Sequence, residues 1–221
     1  MDVDMFDNIK AAIFDLDGTL VDSMWVWKDI DEQDFKMHGL TVPEGFQASI
    51  SGMSFTETAQ YIKKTYPFFT ETVEEMKEKW NRMAQESYRT RVMLKPGAYD
   101  FLVYLKEKGI KTGVASSNYI GLVETVLEAR GVRHMFDSIH TSCEVPHGKP
   151  EPDIYLLVAK DLGIEPENCL VFEDILEGIE AGKRAGMRTC AIADDASADT
   201  WERKCTEADY AIRDYTELTL L

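Results

Sequence analysis

The sequence predicts an α/β fold: a doubly wound parallel sheet with helices on both faces and a helical segment inserted after its first strand. Two observations carry that reading. From Ala98 onward, helix-like and strand-like segments alternate, which calls for parallel strands joined by crossover helices. Between Met24 and about Arg89 the apolar spacing is helical throughout and no strand stands out.

Taken in order, Lys10 to Phe14 reads as a buried first strand. Helices are expected over Met24 to His38, Ser54 to Thr65 and Glu71 to Tyr88, separated by Gly39, the Pro43-Glu44-Gly45 turn, Gly52 and Pro67. After Leu94-Lys95-Pro96-Gly97 come helix Ala98 to Lys108, strand Lys111 to Ala115, helix Gly121 to Arg130 and a short strand near Ser138 to Thr141. The series closes with helix Asp153 to Leu162, strand Cys169 to Phe172, helix Glu177 to Ala185, strand Arg188 to Ala193 and a last strand near Tyr210 to Ile212.

Composition narrows the function. The 221 residues suffice for a substantial core, and 44% hydrophobic with 29% charged residues is ordinary for a globular protein. Lys plus Arg total 24 against 40 Asp plus Glu, a net charge of −16 that argues against nucleic acid or an anionic membrane as partner. Such a field also repels phosphorylated ligands unless the site supplies its own positive charge. The acidic start from Met1 to Asp7 lacks the basic character of a signal peptide, and no apolar run reaches membrane-spanning length, so a cytoplasmic location is expected. Cys143, Cys169, Cys190 and Cys205 have no metal or redox spacing and are read as reduced core or near-core thiols.

Ligands of parallel sheets sit at the carboxyl ends of the strands, and here those ends are polar. The first carries Asp15 and Asp17, the second Ser116-Ser117-Asn118, a later one Glu173-Asp174, and Lys149 lies in the loop before a helix. Residues i and i+2 of an extended segment project to the same side, so Asp15 and Asp17 share one space. Either a cation sits between them or one of them keeps its proton. Gly18 frees the backbone for a sharp exit. Taken singly, each cluster has a plainer reading: Asp15 and Asp17 as a turn and cap pair, Lys149 as solvated surface, Ser116, Asn118 and Glu173-Asp174 as helix caps.

Together and in this order, Asp15-x-Asp17-Gly18-Thr19, Ser116, Gly148-Lys149-Pro150-x-Pro152 and Glu173-Asp174 resemble the four motifs of the haloacid dehalogenase superfamily, over nearly the whole chain. The resemblance implies a Rossmann-like catalytic core, residues 1–22 and 91–221, with an inserted α-helical cap domain, residues 23–90, like that of the β-phosphoglucomutase-like subgroup. It implies Asp15 as a nucleophile that becomes an aspartyl phosphate, and Asp17 as the acid that protonates the leaving oxygen and then activates water. It implies Mg2+ held by Asp15, Asp174 and the backbone carbonyl of Asp17, with Glu173 a weaker ligand or a support behind the ligands. Lys149 then supplies fixed positive charge, and Ser116 with the amides of Ser117 and Asn118 binds phosphoryl oxygens. Thr19 orients Asp17 or the loop, or is a structural hydroxyl. Ile175 stands where many relatives have Ser, which removes a hydroxyl there and leaves the carboxylates intact. Gly178, Gly182 and Gly186 serve packing and helix termination.

The cap decides the substrate. A β-phosphoglucomutase carries a cap histidine twelve residues after the nucleophile and an arginine after the hinge glycine; here those positions are Trp27 and, counted from Gly52, Phe55. Hydrolysis by water is therefore expected over mutase chemistry. Trp25, Trp27 and Lys28 either face the substrate or pack the cap helices together; Gly52 and Phe55 lie in a segment resembling the substrate-specificity loop, where Ser54 also suits a helix cap. Arg82, Arg89 and Arg91 are read as surface charges. The expectation is a monomeric magnesium-dependent phosphatase of a small phosphorylated metabolite, a sugar or nucleoside monophosphate. A 2-haloacid dehalogenase is disfavoured because such enzymes do not keep a second aspartate as acid, and an inactive binding module has little use for four charged clusters.

Overall fold

Strand β1 (Ala11–Phe14) is buried on both sides and sorts its side chains between two cores: Ala12 and Phe14 pack into one, Ala11 and Ile13 into the other. That division organises the computed structural model, which describes residues 5–218. Met1 to Asp4 of the acidic start lie outside the described residues.

Around β1 lies a six-stranded, all-parallel sheet. On one side of β1 come β4 (Lys111–Ser116) and β5 (Ser138–Thr141); on the other come β6 (Cys169–Glu173), β7 (Arg188–Ile192) and β8 (Tyr210–Ile212), giving the order β5-β4-β1-β6-β7-β8. The register pairs Phe14 with Val114 and with Phe172, so β1, β4 and β6 end side by side. The order reverses direction between β1 and β6, which opens a crevice there. Among the described residues no helix is long and apolar enough to cross a membrane.

The helical insert comprises α1 (Met24–Met37), α2 (Phe46–Ile50), α3 (Phe55–Thr65) and α4 (Val73–Thr90). Ser54 with Glu57, and Thr72 with Glu75, form capping boxes at the starts of α3 and α4, satisfying amides that a helix end leaves bare. Two elements invisible in the sequence frame the insert: β2 (Val21–Asp22) and β3 (Met93–Leu94) pair antiparallel where the chain leaves and re-enters the sheet. After β3 follow α5 (Ala98–Glu107), α6 (Ile120–Ala129), α7 (Asp153–Leu162), α8 (Leu176–Arg184) and α9 (Trp201–Glu207). Helices α2 and α9 were not expected; each is short, with too few turns for periodicity to register. Cys169 and Cys190 are buried as expected, but Cys143 and Cys205 are exposed, one in a single turn after β5 and the other on α9, so the core reading fails for those two.

A charged knot ties the insert together. The Lys79 ammonium donates to Asp34 Oδ1 at 2.5 Å and to Glu71 Oε1 at 2.6 Å, while Trp80 Nε1 donates to Asp34 Oδ2 at 2.6 Å and His38 bridges Asp34 and Glu71. Burial by itself would raise the Glu71 carboxyl, but the bonds from Lys79, its own backbone and His38 outweigh it and bring it from 4.5 down to about 2. Lys79 already supplies the cation among Asp34, His38 and Glu71, so the grouping is an ion-pair network. Lys79→Met leaves Asp34 buried without its counter-charge and is expected to cost about 3 kcal/mol in urea unfolding. Because Glu71 is depressed in the folded state, its share of stability is present above pH 4.5 and lost as pH falls toward about 2; that slope flattens in the variant.

Candidate active site

The sheet brings the predicted clusters to one place. The amide of Asp15 still donates to Phe172 O at 3.0 Å, continuing the strand pattern, before Leu16 turns into the core and Gly18, at φ +81°, reverses the chain. A side chain at Gly18 would put its Cβ 2.4 Å from Asp174 Oδ2. Glycine is therefore required twice, for its backbone angle and for the approach of a carboxylate.

Lys149 is the positive centre. Its buried ammonium donates to Asp15 Oδ1 at 2.6 Å and to Glu173 Oε1 at 2.5 Å. Burial opposes its charge, yet Asp15 and Glu173 outweigh that and raise its pKa, so Lys149 stays an ammonium. Glu173 is held from every side: Oε1 also accepts the Tyr155 hydroxyl at 2.5 Å, and Oε2 accepts the amides of Asp174 and Ile175. The carboxylate sits where Gly178 has no side chain, since a Cβ there would fall 1.9 Å from Oε1.

Asp174 completes the acidic corner. Thr19, read from the sequence as orienting Asp17 or the loop or as a structural hydroxyl, donates to Asp174 Oδ1 at 2.9 Å and so orients Asp174. Behind it, the buried Lys204 ammonium donates to the Asp174 carbonyl at 2.7 Å and to Ser197 Oγ at 2.7 Å. Burial, with Glu173 and Asp194 adding, pushes Asp174 up to about 8. Burial likewise pushes Asp15 well above the carboxylate range; Lys149 pulls it back, and Glu173, Asp174 and Asp17 add to the rise. Lys149 alone does not offset this crowding. Oxygens of Asp15, Glu173 and Asp174 lie within 4.8 Å of one another, an all-oxygen donor set that suits a hard divalent cation such as Mg2+.

Asp17 lies in a different web. Ser23 donates to its Oδ1 at 2.5 Å, Tyr88 donates to the same oxygen, and Asn118 Nδ2 donates to Oδ2 at 2.8 Å. Asn118 Nδ2 also reaches the Tyr88 hydroxyl at 3.0 Å. The Asn118 amide, expected to face a phosphoryl group, instead donates to Ser116 Oγ at 3.0 Å, which leaves the Ser116 proton free to be donated elsewhere. Neither Ser116 nor Asn118 caps α6, whose preceding residue is Tyr119.

The insert closes over these loops. Gly52 O accepts Ser117 Oγ at 3.4 Å, the Phe55 amide donates to Ser117 O at 3.2 Å, and Glu57 Oε1 accepts the Gly148 amide at 3.3 Å. Trp27 meets Phe55 and Tyr88 edge-on, with ring centres 5.4 and 5.9 Å away. Trp25 donates to Asp22 O and carries the Arg91 guanidinium over its ring, while Lys28 is exposed on α1. Arg82, Arg89 and Arg91 are exposed as expected. Tyr88, Ser23, Tyr155 and Lys204 were missed; of these only Ser23, eight residues after Asp15, carried a local signal.

The haloacid dehalogenase-like hydrolase model matches residues 9–186. Hexitol phosphatase B of Escherichia coli (strain K12) is 30% identical over 217 residues, spanning 96% of this chain and 95% of its own length. The β-phosphoglucomutase structure from Clostridium difficile is 26% identical with a TM-score of 0.80, over 96% of this chain and 93% of that one. CbbY from Rhodobacter sphaeroides, solved in complex with phosphate, superposes with a TM-score of 0.85 over 96% of each chain at 24% identity, a likeness of fold.

Gly178→Ala tests how tightly this corner is packed. Forcing a Cβ against Glu173 is expected to cost about 2–3 kcal/mol and to lower the melting temperature by roughly 5–10 °C, measured by differential scanning calorimetry.

Proposed function

We propose that this chain, which belongs to the haloacid dehalogenase-like hydrolase family, is a magnesium-dependent phosphatase of small phosphorylated metabolites, with sugar or polyol monophosphates as the favoured class. The observation that carries the reading is the Lys149 ammonium 2.6 Å from Asp15 Oδ1 in a corner completed by Asp174. Hexitol phosphatase B of Escherichia coli and the phosphorylated carbohydrates phosphatase of Thermotoga maritima, 30% and 28% identical, support the substrate class.

In this reading Asp15 attacks phosphorus while the bond to the leaving oxygen breaks, giving an aspartyl phosphate. Asp17 gives its proton to the departing alkoxide, then takes one from the water that attacks the phosphoryl group. Phosphate leaves, Asp15 is regenerated, and Asp17 again holds a proton. Ser116 donates to a phosphoryl oxygen, and Lys149 stays fixed beside the nucleophile, so charge compensation is in place before the transition state forms. Glu173, with its oxygens taken by Lys149, Tyr155 and two amides, holds Lys149 in line. Magnesium, held by Asp15, Asp174 and the Asp17 carbonyl, would neutralise the acidic corner and draw charge from the phosphoryl oxygens. The insert excludes bulk water from the acyl phosphate.

Trp27 and Phe55 pack on each other in the insert, where a phosphoglucomutase carries its histidine and arginine. This arrangement provides no cation for a second phosphate, and hydrolysis is favoured over mutase turnover. The test is a magnesium-supplemented screen of sugar and polyol phosphates, with β-glucose 1-phosphate and a bisphosphate activator included. Phosphate release is expected, falling more than about 10³-fold in Asp15→Asn and stopping when the metal is chelated. Conversion to glucose 6-phosphate without release, or unchanged turnover in the variant, contradicts the reading.

A further inference from the structure

The hydroxyl of Tyr88 stands out among the groups that the sequence did not mark. It sits in the last turns of α4, belongs to the insert rather than the sheet, and is fully buried. Its ring packs edge-on against Trp27, a contact that phenylalanine would make equally well. The hydroxyl therefore needs another reason, and its neighbours provide one. Asn118 Nδ2 only donates, and it donates to the Tyr88 oxygen at 3.0 Å. Ser23 and Trp27 also stand within hydrogen-bond reach of the phenol as donors, so the Tyr88 proton is directed to the carboxylate, Asp17 Oδ1. Ser23 donates to that same oxygen at 2.5 Å, while among the described residues Oδ2 receives Asn118 Nδ2 alone, at 2.8 Å.

We propose that Tyr88, with Ser23 as its companion, is a positioning residue for the acid/base Asp17: the two hydroxyls anchor Oδ1 and leave Oδ2 as the oxygen that exchanges its proton with the leaving group and with water. The carboxylate is thus aimed jointly by the insert, through Tyr88 and, at its very start, Ser23, and by the sheet loop that carries Asn118. An α4 that is displaced releases the Tyr88 anchor.

This inference rests on the phosphatase reading, and its test is chosen to separate the two. An alkyl phosphate such as a hexose 6-phosphate needs its departing alkoxide protonated, whereas the p-nitrophenolate of an aryl phosphate departs without help. The value of kcat/KM reports steps up to that departure. In Tyr88→Phe it is expected to fall by about tenfold or more for the alkyl phosphate and by less than about twofold for p-nitrophenyl phosphate. Ser23→Ala is expected to split the two substrates in the same direction, and it carries the comparison alone should Tyr88→Phe lose its circular dichroism signature. Equal losses on both substrates, or none on either in a folded variant, overturn the proposal. Wild type that turns over neither substrate with magnesium overturns the phosphatase reading instead.

Discussion

One ammonium, that of Lys149, is held between two carboxylates at the meeting point of three parallel strands, and the arrangement of the site follows from that placement. Taking Asp15, Glu173 and Asp174 out of water costs several kcal/mol per charge, and β1 and β6 deliver all three to the same edge because they end in register. Lys149 bonds to Asp15 and Glu173, while Lys204 reaches Asp174 at its backbone carbonyl. The corner is left short of positive charge, and in the proposed reading an added cation and an incoming phosphoryl group would answer each other there. A neighbourhood this acidic would otherwise repel the substrate.

The glycines and hydroxyls around the corner make the crowding sterically possible. Gly18 admits Asp174, Gly178 admits Glu173, and Thr19 fixes the Asp174 carboxylate from across the chain. The insert is joined to the same loops at several points: Phe55 and Gly52 to Ser117, Glu57 to Gly148, and Tyr88 to Asp17 and Asn118. In the proposed reading, substrate selection and acid alignment fall to one body of helices, while the nucleophile and the lysine belong to the sheet.

Much of this was legible in the residues. Alternating segments in the second half point to the sheet, and polar strand exits and the loop before a helix single out Asp15, Asp17, Ser116, Lys149, Glu173 and Asp174. What escaped was set by distance along the chain. Nothing near Tyr88 hints that its hydroxyl meets a carboxylate 71 residues earlier, and Thr19, adjacent in sequence to the Asp17 loop, bonds instead to a residue 155 positions away. Two-residue strands such as β2 and β3 carry no periodicity, because their pairing is imposed by the chain entering and leaving the insert. The aromatic identity of Trp27 and Phe55 was plain, but their mutual packing became visible only in three dimensions.

The account turns on whether the acidic corner takes up a divalent cation. Thermal unfolding of wild type and of Asp174→Asn, each with and without millimolar magnesium, measures this without any substrate. A folded state that binds the ion is stabilised in proportion to the logarithm of its saturation, so magnesium should raise the wild-type melting temperature and leave that of the variant unchanged. A wild-type melting temperature that does not respond to magnesium would contradict the account.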